Sequence, residues 1–303
     1  MRSLFVTGGS GFIGKRFVRT LARDRWERVY CLSEPGQKME PDVLERENLQ
    51  YVAADLLDAD RYRPILAQCD TVVHLAAITG KAAPAAYFRV NLDGTRALLD
   101  ASCRAGVARF LFVSSIAARF ADTSNYYYAE SKRRAEEVVR ASGLSFTIVR
   151  PTIVVGQGGG PWESLSRLAA LPLLPLFGNG TRIQPIYVDD FVACLCTLLD
   201  ARQFRNETIE LGGPEVTTFE SLLRQASHMR RGRKPWTVNV PVRPLVLVLR
   251  ILERFAGPLL PLSTGQLAAF QNDGTVRLAP SAETGLPPMK SVHEMLRLVI
   301  ENG

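Results

Sequence analysis

The sequence predicts an α/β protein built on a doubly wound parallel sheet, with a smaller, interleaved C-terminal domain. That class follows from short runs apolar on both faces, helix-length segments between them, and a glycine-rich turn at the first strand-to-helix junction. The runs at 4–6, 29–32, 49–53, 71–75, 110–114 and 146–150 are rich in Val, Leu and Phe and read as strands. Segments 14–24, 87–105 and 128–142 have helical length and lie between such runs. Crossovers of a dozen or more residues join parallel neighbours, and strands apolar on both faces need helices over each side. In such a sheet a ligand belongs at the carboxyl ends of the strands, where strand order reverses.

The texture changes after Arg150-Pro151. A glycine-rich stretch at 156–161, a leucine- and proline-rich segment through Leu176 and a second glycine loop at 178–180 open the smaller domain. The first domain is therefore expected over 1–155 and a mainly substrate-binding domain over 156–303. A strand at 183–188 and a helix at 189–199 return to the first domain. From Asn239 onward the pattern is least legible. Residues 245–249 are apolar all round, and Arg250, Glu253 and Arg254 then add a polar face. This suits a helix packed on its own domain, or one meeting an oligomer partner or a membrane surface.

Composition excludes several classes. With 303 residues, 47% apolar and 22% charged, the chain is neither disordered nor of low complexity. Five cysteines, an odd number with no CxxC pair or Cys/His cluster, imply a reduced, cytoplasmic protein without a metal site. The net charge is +7, and much of the excess sits in Arg224, Arg230, Arg231, Arg233 and Lys234. No nucleic-acid-binding motif accompanies that run. A solvated loop, or a peripheral grip on an anionic group or membrane through 230–262, fits it better. The N-terminus enters a strand at Leu4-Phe5-Val6 and lacks a signal-peptide pattern, and 241–262 is too interrupted by charge and proline to span a membrane.

The first turn, Thr7-Gly8-Gly9-Ser10-Gly11-Phe12-Ile13-Gly14, carries glycines at 8, 11 and 14. Directly after a first strand, this spacing points to a dinucleotide. The turn is tight, the backbone must approach a diphosphate, and the helix start offers unpaired N–H groups. Ser33 and Glu34 end the second strand, where Glu34 accepts from ribose hydroxyls and repels a 2′-phosphate; this favours NAD. NADP stays open, because Lys15, Arg16 and Lys38 are close enough in sequence to clamp a phosphate. Asp55 is placed either to accept from an adenine amino group or to cap a turn.

Tyr128 and Lys132 stand one helical turn apart on one face. Acid–base work by a phenol at neutral pH requires lowering its pKa by roughly 3 units, or ~4 kcal/mol. A lysine charge ~5 Å away at an effective dielectric of ~20 supplies about 3 kcal/mol, and an oxidised nicotinamide adds a second charge. Tyr126 and Tyr127 lack this four-residue step to Lys132. Ser114 and Ser115 end the fifth strand, where either hydroxyl would meet the same substrate oxygen. His74 reads as a structural histidine.

With these pieces in order, the chain resembles the short-chain dehydrogenase/reductase superfamily in its extended, NAD-dependent epimerase/dehydratase branch. The matching segments are TGGSGFIG at 7–14, ADL at 54–56, VVHLAA at 72–77, NLDGT at 91–95, FLFVSS at 110–115, YAESK at 128–132, RPTIVVG at 150–156, IYVDD at 186–190 and ELGGP at 210–214. The resemblance implies a Rossmann domain, a homodimer, and Tyr128 as acid/base beside Lys132, with Ser115 orienting the substrate oxygen. Asn91 would support the helix and a proton relay. Gly8, Gly11, Phe12, Ile13, Gly14, Ser33, Glu34, Asp55, Leu56, Leu75, Ala76, Ala77, Lys132, Pro151 and Ile153 would line the cofactor, and Arg182 the substrate. Two departures, the 12 residues between Ser115 and Tyr128 and Arg182 one place off the usual register, resemble atypical members such as the large accessory subunit of respiratory complex I. The expected activity is a sugar-nucleotide or related epimerase/dehydratase. The alternatives are a net reductase of a lipid-like or other ketone, and a non-catalytic NAD(P)-binding subunit of a membrane-associated complex.

Overall fold

A computed structural model describes residues 2–22, 25–37, 47–123, 126–177, 180–200, 204–240, 272–276 and 285–301. Strands β1 (Ser3–Thr7), β2 (Arg28–Ser33), β3 (Leu49–Ala53), β4 (Thr71–His74), β5 (Arg109–Val113) and β6 (Ser145–Pro151) fall on the six expected runs. Seven shorter or more exposed strands follow: β7 (Val154–Val155), β8 (Leu173–Phe177), β9 (Arg182–Ile183), β10 (Ile186–Tyr187), β11 (Glu207–Leu211), β12 (Thr217–Thr218) and β13 (Trp236–Val240). The main sheet has seven strands in the order β11-β6-β5-β4-β1-β2-β3, and every neighbouring pair is parallel. Order reverses at β1, which lies between β2 and β4, so the turns leaving β1 and β4 face each other across the sheet's carboxyl edge.

Alternation along each strand feeds two cores. Leu4 and Val6 pack with Phe17, Val18, Phe191 and Leu195 on one face of the sheet. Phe5 packs with Tyr62, Leu98, Phe110 and Val139 on the other. Each such side chain is fully or almost fully buried, worth about 1.5–3 kcal/mol, and a one-residue slip would exchange the two sets. The helix Val188–Asp200 lies against Phe12–Thr20 in the first of these cores. A third cluster joins Trp162, Leu165, Leu174, Phe219, Leu222 and, from the C-terminal helix Val292–Glu301, Met295 and Leu296.

The structure departs from the sequence reading in four places. The first helix runs Phe12–Thr20, not 14–24, because Gly11 is its N-cap. The segment 87–105 is not one helix: Pro84–Tyr87 leads into a π-helical turn, Phe88–Asp93, before Gly94–Ala105 ends on Gly106 in the left-handed region at φ 77°. The strand expected at 183–188 is two bridges, β9 and β10. Between them Pro185 has no N–H to pair, and Gln184 turns inward, donating to the Gly213 carbonyl and accepting from Val276 N–H at 3.1 Å. The seventh strand of the main sheet, β11, is not announced by an apolar run, since its charged, half-exposed Glu207-Thr-Ile-Glu-Leu suits a sheet edge. Most of the proposed contact segment 230–262, including 245–254, lies outside the described residues.

Candidate active site

The turn after β1 is built around glycine. Gly8 has φ +72°, and a Cβ there would stand 2.6 Å from Ala76 N, against the turn leaving β4. At Gly14 a Cβ would fall 2.0 Å from the Gly8 carbonyl oxygen, so glycine is required for the helix to close on the turn. Gly11 N–H donates to that same oxygen at 3.0 Å. The helix beginning at Phe12, followed by Ile13, has no side-chain cap and no acidic residue in its first turn, leaving its positive end open to an anion. Backbone at a helix start, with no room for a Cβ at Gly8 or Gly14, fits a diphosphate.

Around this cradle the other expected cofactor residues take definite places. Ser33, buried, ends β2, and exposed Glu34 follows it. Gln37 N–H donates to Glu34 O at 3.1 Å, and the Ser10 hydroxyl donates to the Gln37 amide oxygen, which folds this turn over the glycine loop. Leu75 N–H and Ala76 N–H bond Thr7, with Ala77 next in line. Pro151 ends β6, and the Ile153 carbonyl accepts from Ile186 N–H at 3.0 Å. Asp55 caps a turn: it accepts from Leu57 N–H at 2.9 Å and pairs with Arg89, while Leu56 packs on Gly94. Arg16 is not a phosphate clamp. It donates to Gln157 O at 2.9 Å and pairs with Asp189 at 3.2 Å, lying over the Phe12 ring. Lys38 lies outside the described residues. The glycine stretch after β7 has its own reason, since a Cβ at Gly156 would strike Val188 and one at Gly159 the Phe12 ring.

Beside the cradle stand the serine, tyrosine and lysine. The Ser115 side chain hydrogen-bonds the Tyr128 phenol and accepts from Ala117 N–H at 3.2 Å, capping the short helix Ile116–Arg119. Ser114 points elsewhere, donating to Glu136 at 2.6 Å. Glu136 is wholly buried and also takes Arg150 and Arg140. Burial raises its pKa, but the hydrogen bonds from Arg150 and Ser114 outweigh that and hold it below the usual carboxylate range. Of the two serines, geometry brings only Ser115 to Tyr128. The Tyr126 ring is tilted at 45° to that of Tyr128 with centroids 5.8 Å apart, and Tyr127 is exposed.

Lys132 is buried, donating to Val113 O at 2.7 Å with its ammonium 4.3 Å from the Phe112 ring centre. Burial, opposed by the Glu136 charge, pushes its pKa down to about 7. The phenol departs from the sequence expectation. Burial pushes Tyr128 up to about 12, with the Ser115 bond lowering it and Tyr87 raising it, so removal from water decides its value.

Asn91 sits in the π-helical turn and is buried. Its amide clamps Ile78 in both directions, at 2.8 and 3.1 Å, and donates to Ser131 Oγ at 3.0 Å. Ser131 in turn donates to the Tyr128 carbonyl at 2.7 Å. Both amide hydrogens thus hold the Tyr127–Ala141 helix against the turn after β4. His74 completes the strap. Thr95 Oγ donates to Asn91 O at 2.6 Å, so it accepts from His74 Nε2 at 2.9 Å. Nδ1 then accepts from Thr7 at 2.6 Å, and Thr7 accepts from Ala76 N–H. Burial first, and then the Lys132 charge, lower His74 to about 3, in keeping with this neutral tautomer.

Arg182 lies apart from these residues, on a polar cleft of about 590 Å³ lined also by Arg119, Val216, Asp273 and Thr275. It pairs with Asp273, and Arg119 pairs with Glu210 at 3.1 Å. The His74 strap and the Glu136 cluster were the parts missed from sequence. The signal available for the first was a histidine ending a buried strand.

The sequence profile of the NAD dependent epimerase/dehydratase family matches residues 4–212. The chain belongs to this family. The family's NAD dependence agrees with the cofactor expected from the glycine turn. Among curated relatives, this family member is 34% identical to the ceramide reductase of Caulobacter vibrioides, over 78% of this chain and 73% of that one. It is 29% identical to dTDP-glucose 4,6-dehydratase 1 of Escherichia coli, over 69% and 72% of the two chains. Among solved structures, the UDP-glucuronic acid 4-epimerase of Bacillus cereus in complex with NAD superposes with a TM-score of 0.74 at 18% identity, covering 99% of this chain and 97% of that one. The shared fold is all that this last likeness carries.

Proposed function

We propose that this family member is an NAD-linked oxidoreductase that reduces the ketone of a lipid-like substrate. The observation that carries the reading is the Ser115–Tyr128 hydrogen bond, one helical turn from buried Lys132 and beside the glycine cradle. Gly8, Gly11 and Gly14 would hold a nicotinamide dinucleotide, which would supply the hydride when bound. Ser115 orients the substrate oxygen, and Tyr128 gives that oxygen its proton as the carbonyl carbon is reduced. A phenol held at about 12 is protonated at neutral pH, which is the form a reductase needs at the start of its cycle. The phenolate left behind is steadied by the Lys132 ammonium and is reprotonated from solvent.

The reductive direction and lipid-like substrate are supported by the ceramide reductase relative. They depart from the sugar-nucleotide preference of the sequence reading. The third apolar cluster, with the cleft at Arg182, is assigned as the substrate domain. An epimerase or dehydratase of a nucleotide sugar remains the second reading, favoured by exposed Arg182 on that cleft. The two separate on one preparation: denature the purified protein and quantify released nicotinamide nucleotide by mass spectrometry. A reductase binds NADH reversibly and comes away largely empty. Near-stoichiometric NAD supports the second reading, or a structural nucleotide if Tyr128→Phe also leaves turnover untouched.

A further inference from the structure

Strands β8 and β13 form a two-stranded parallel ribbon in which Trp236 is paired with Leu173 and Val238 with Pro175. Directly paired residues project to the same side of a ribbon. The alternate residues Leu174 and Leu176 are buried in the third apolar cluster, so Trp236, Leu173 and Val238 face outward. They are 78%, 51% and 41% exposed, and Leu171, just before β8, is 41% exposed. Only six large hydrophobic side chains are this exposed among the described residues, and these are four of them. An apolar patch of this kind marks a contact surface.

Cations are concentrated beside it. Residues 221–240 hold Arg224, Arg230, Arg231, Arg233 and Lys234 with no Asp or Glu, whereas Arg167 pairs with Glu163 at 3.6 Å. Arg230 donates to Ser166 and Arg231 to the Ala170 carbonyl, which fixes two of these cations beside Leu171. Exposed Arg233 and Lys234 lead directly into Trp236. None of these side chains belongs to the cradle or to the Ser115–Tyr128 pair.

We propose that this ribbon is a docking surface for an anionic lipid bilayer. Trp236, Leu173 and Leu171 enter at headgroup level, and the cationic rim holds lipid phosphates. The charge decides the occupant, since Arg230, Arg231, Arg233 and Lys234 lie beside the ribbon in a stretch that holds no Asp or Glu, and such a run is complementary to a sheet of phosphates. The inference stands on this patch and is independent of the reaction proposed above.

The test uses the full chain and its own tryptophans. Trp26 and Trp162 are 4% and 6% exposed, so a contact quencher reports Trp236. Vesicles of phosphatidylcholine doped with phosphatidylglycerol and carrying brominated acyl chains should quench Trp236 and sediment the protein. High salt, or omission of the anionic lipid, should abolish both effects. Trp236→Ser, and Arg233→Glu with Lys234→Glu, should each lower partitioning at least ~10-fold while leaving NAD binding unchanged. Equal binding to neutral vesicles, or no quenching by anionic ones, would overturn the proposal. So would a Trp236 already shielded from aqueous acrylamide without vesicles, which would mean that a second copy or the chain's own remainder covers the patch.

Discussion

At Tyr128 and Lys132 burial decides the ionisation: it raises the phenol to about 12, against a lowering bond from Ser115, and brings Lys132 down to about 7. In the proposed reaction Tyr128 therefore starts as the protonated acid. Tyr128→Phe should cut turnover by ~10²–10⁴-fold with nucleotide affinity nearly unchanged, read by steady-state kinetics and calorimetry. Glu34→Ala should narrow the preference for NAD over NADP; an unchanged ratio would mean that the ribose is read elsewhere. His74 supplies a pH signature. Its folded value, about 3, lies below the ~6.5 of an unfolded chain, so the unfolded state takes up a proton first on acidification. The stabilisation is fully present above pH ~6.5 and is lost as pH falls toward 3. The urea midpoint of the natural protein should drop between pH 6.5 and 5, and less steeply in His74→Gln.

The elements differ in how much of them shows in the primary structure. Six parallel strands and the glycine turn are legible because double-sided burial and backbone proximity each demand a narrow residue choice, as at Phe5 and Gly14. Gly14→Ala tests that demand. Its Cβ meets the Gly8 carbonyl, so nucleotide binding should weaken at least ~10-fold, the cost of a clash or a displaced helix being on the order of 1–3 kcal/mol. Gly160→Ala, with nothing within 4 Å, is the control and should bind as the natural protein does. Less legible were the π-helical turn at Asn91, which depends on side-chain bonds to Ile78 and Ser131, and the break at Gln184-Pro185, which depends on Gly213 and Val276. Those partners are distant in sequence. Ser114 and Ser115 could not be separated locally, because what distinguishes them is Glu136, 22 residues from Ser114.

For the whole molecule, the sheet brings the cradle and the Tyr127–Ala141 helix to one edge, and the Asn91–His74 strap joins them. The residues of the Arg182 cleft and of the third apolar cluster have a pattern that specifies packing and ion pairs but no substrate. That is why the fold was readable and the substrate was not. The experiment that bears most directly on the proposed chemistry is isotope transfer. NADH deuterated at C4 on the transferred face is incubated with the protein and a long-chain keto amide of the ceramide kind, and the product is examined by mass spectrometry. One deuterium at the new carbinol carbon per NADH oxidised, absent with Tyr128→Phe, is the predicted result. A product without deuterium, or equal transfer by Tyr128→Phe, would contradict it.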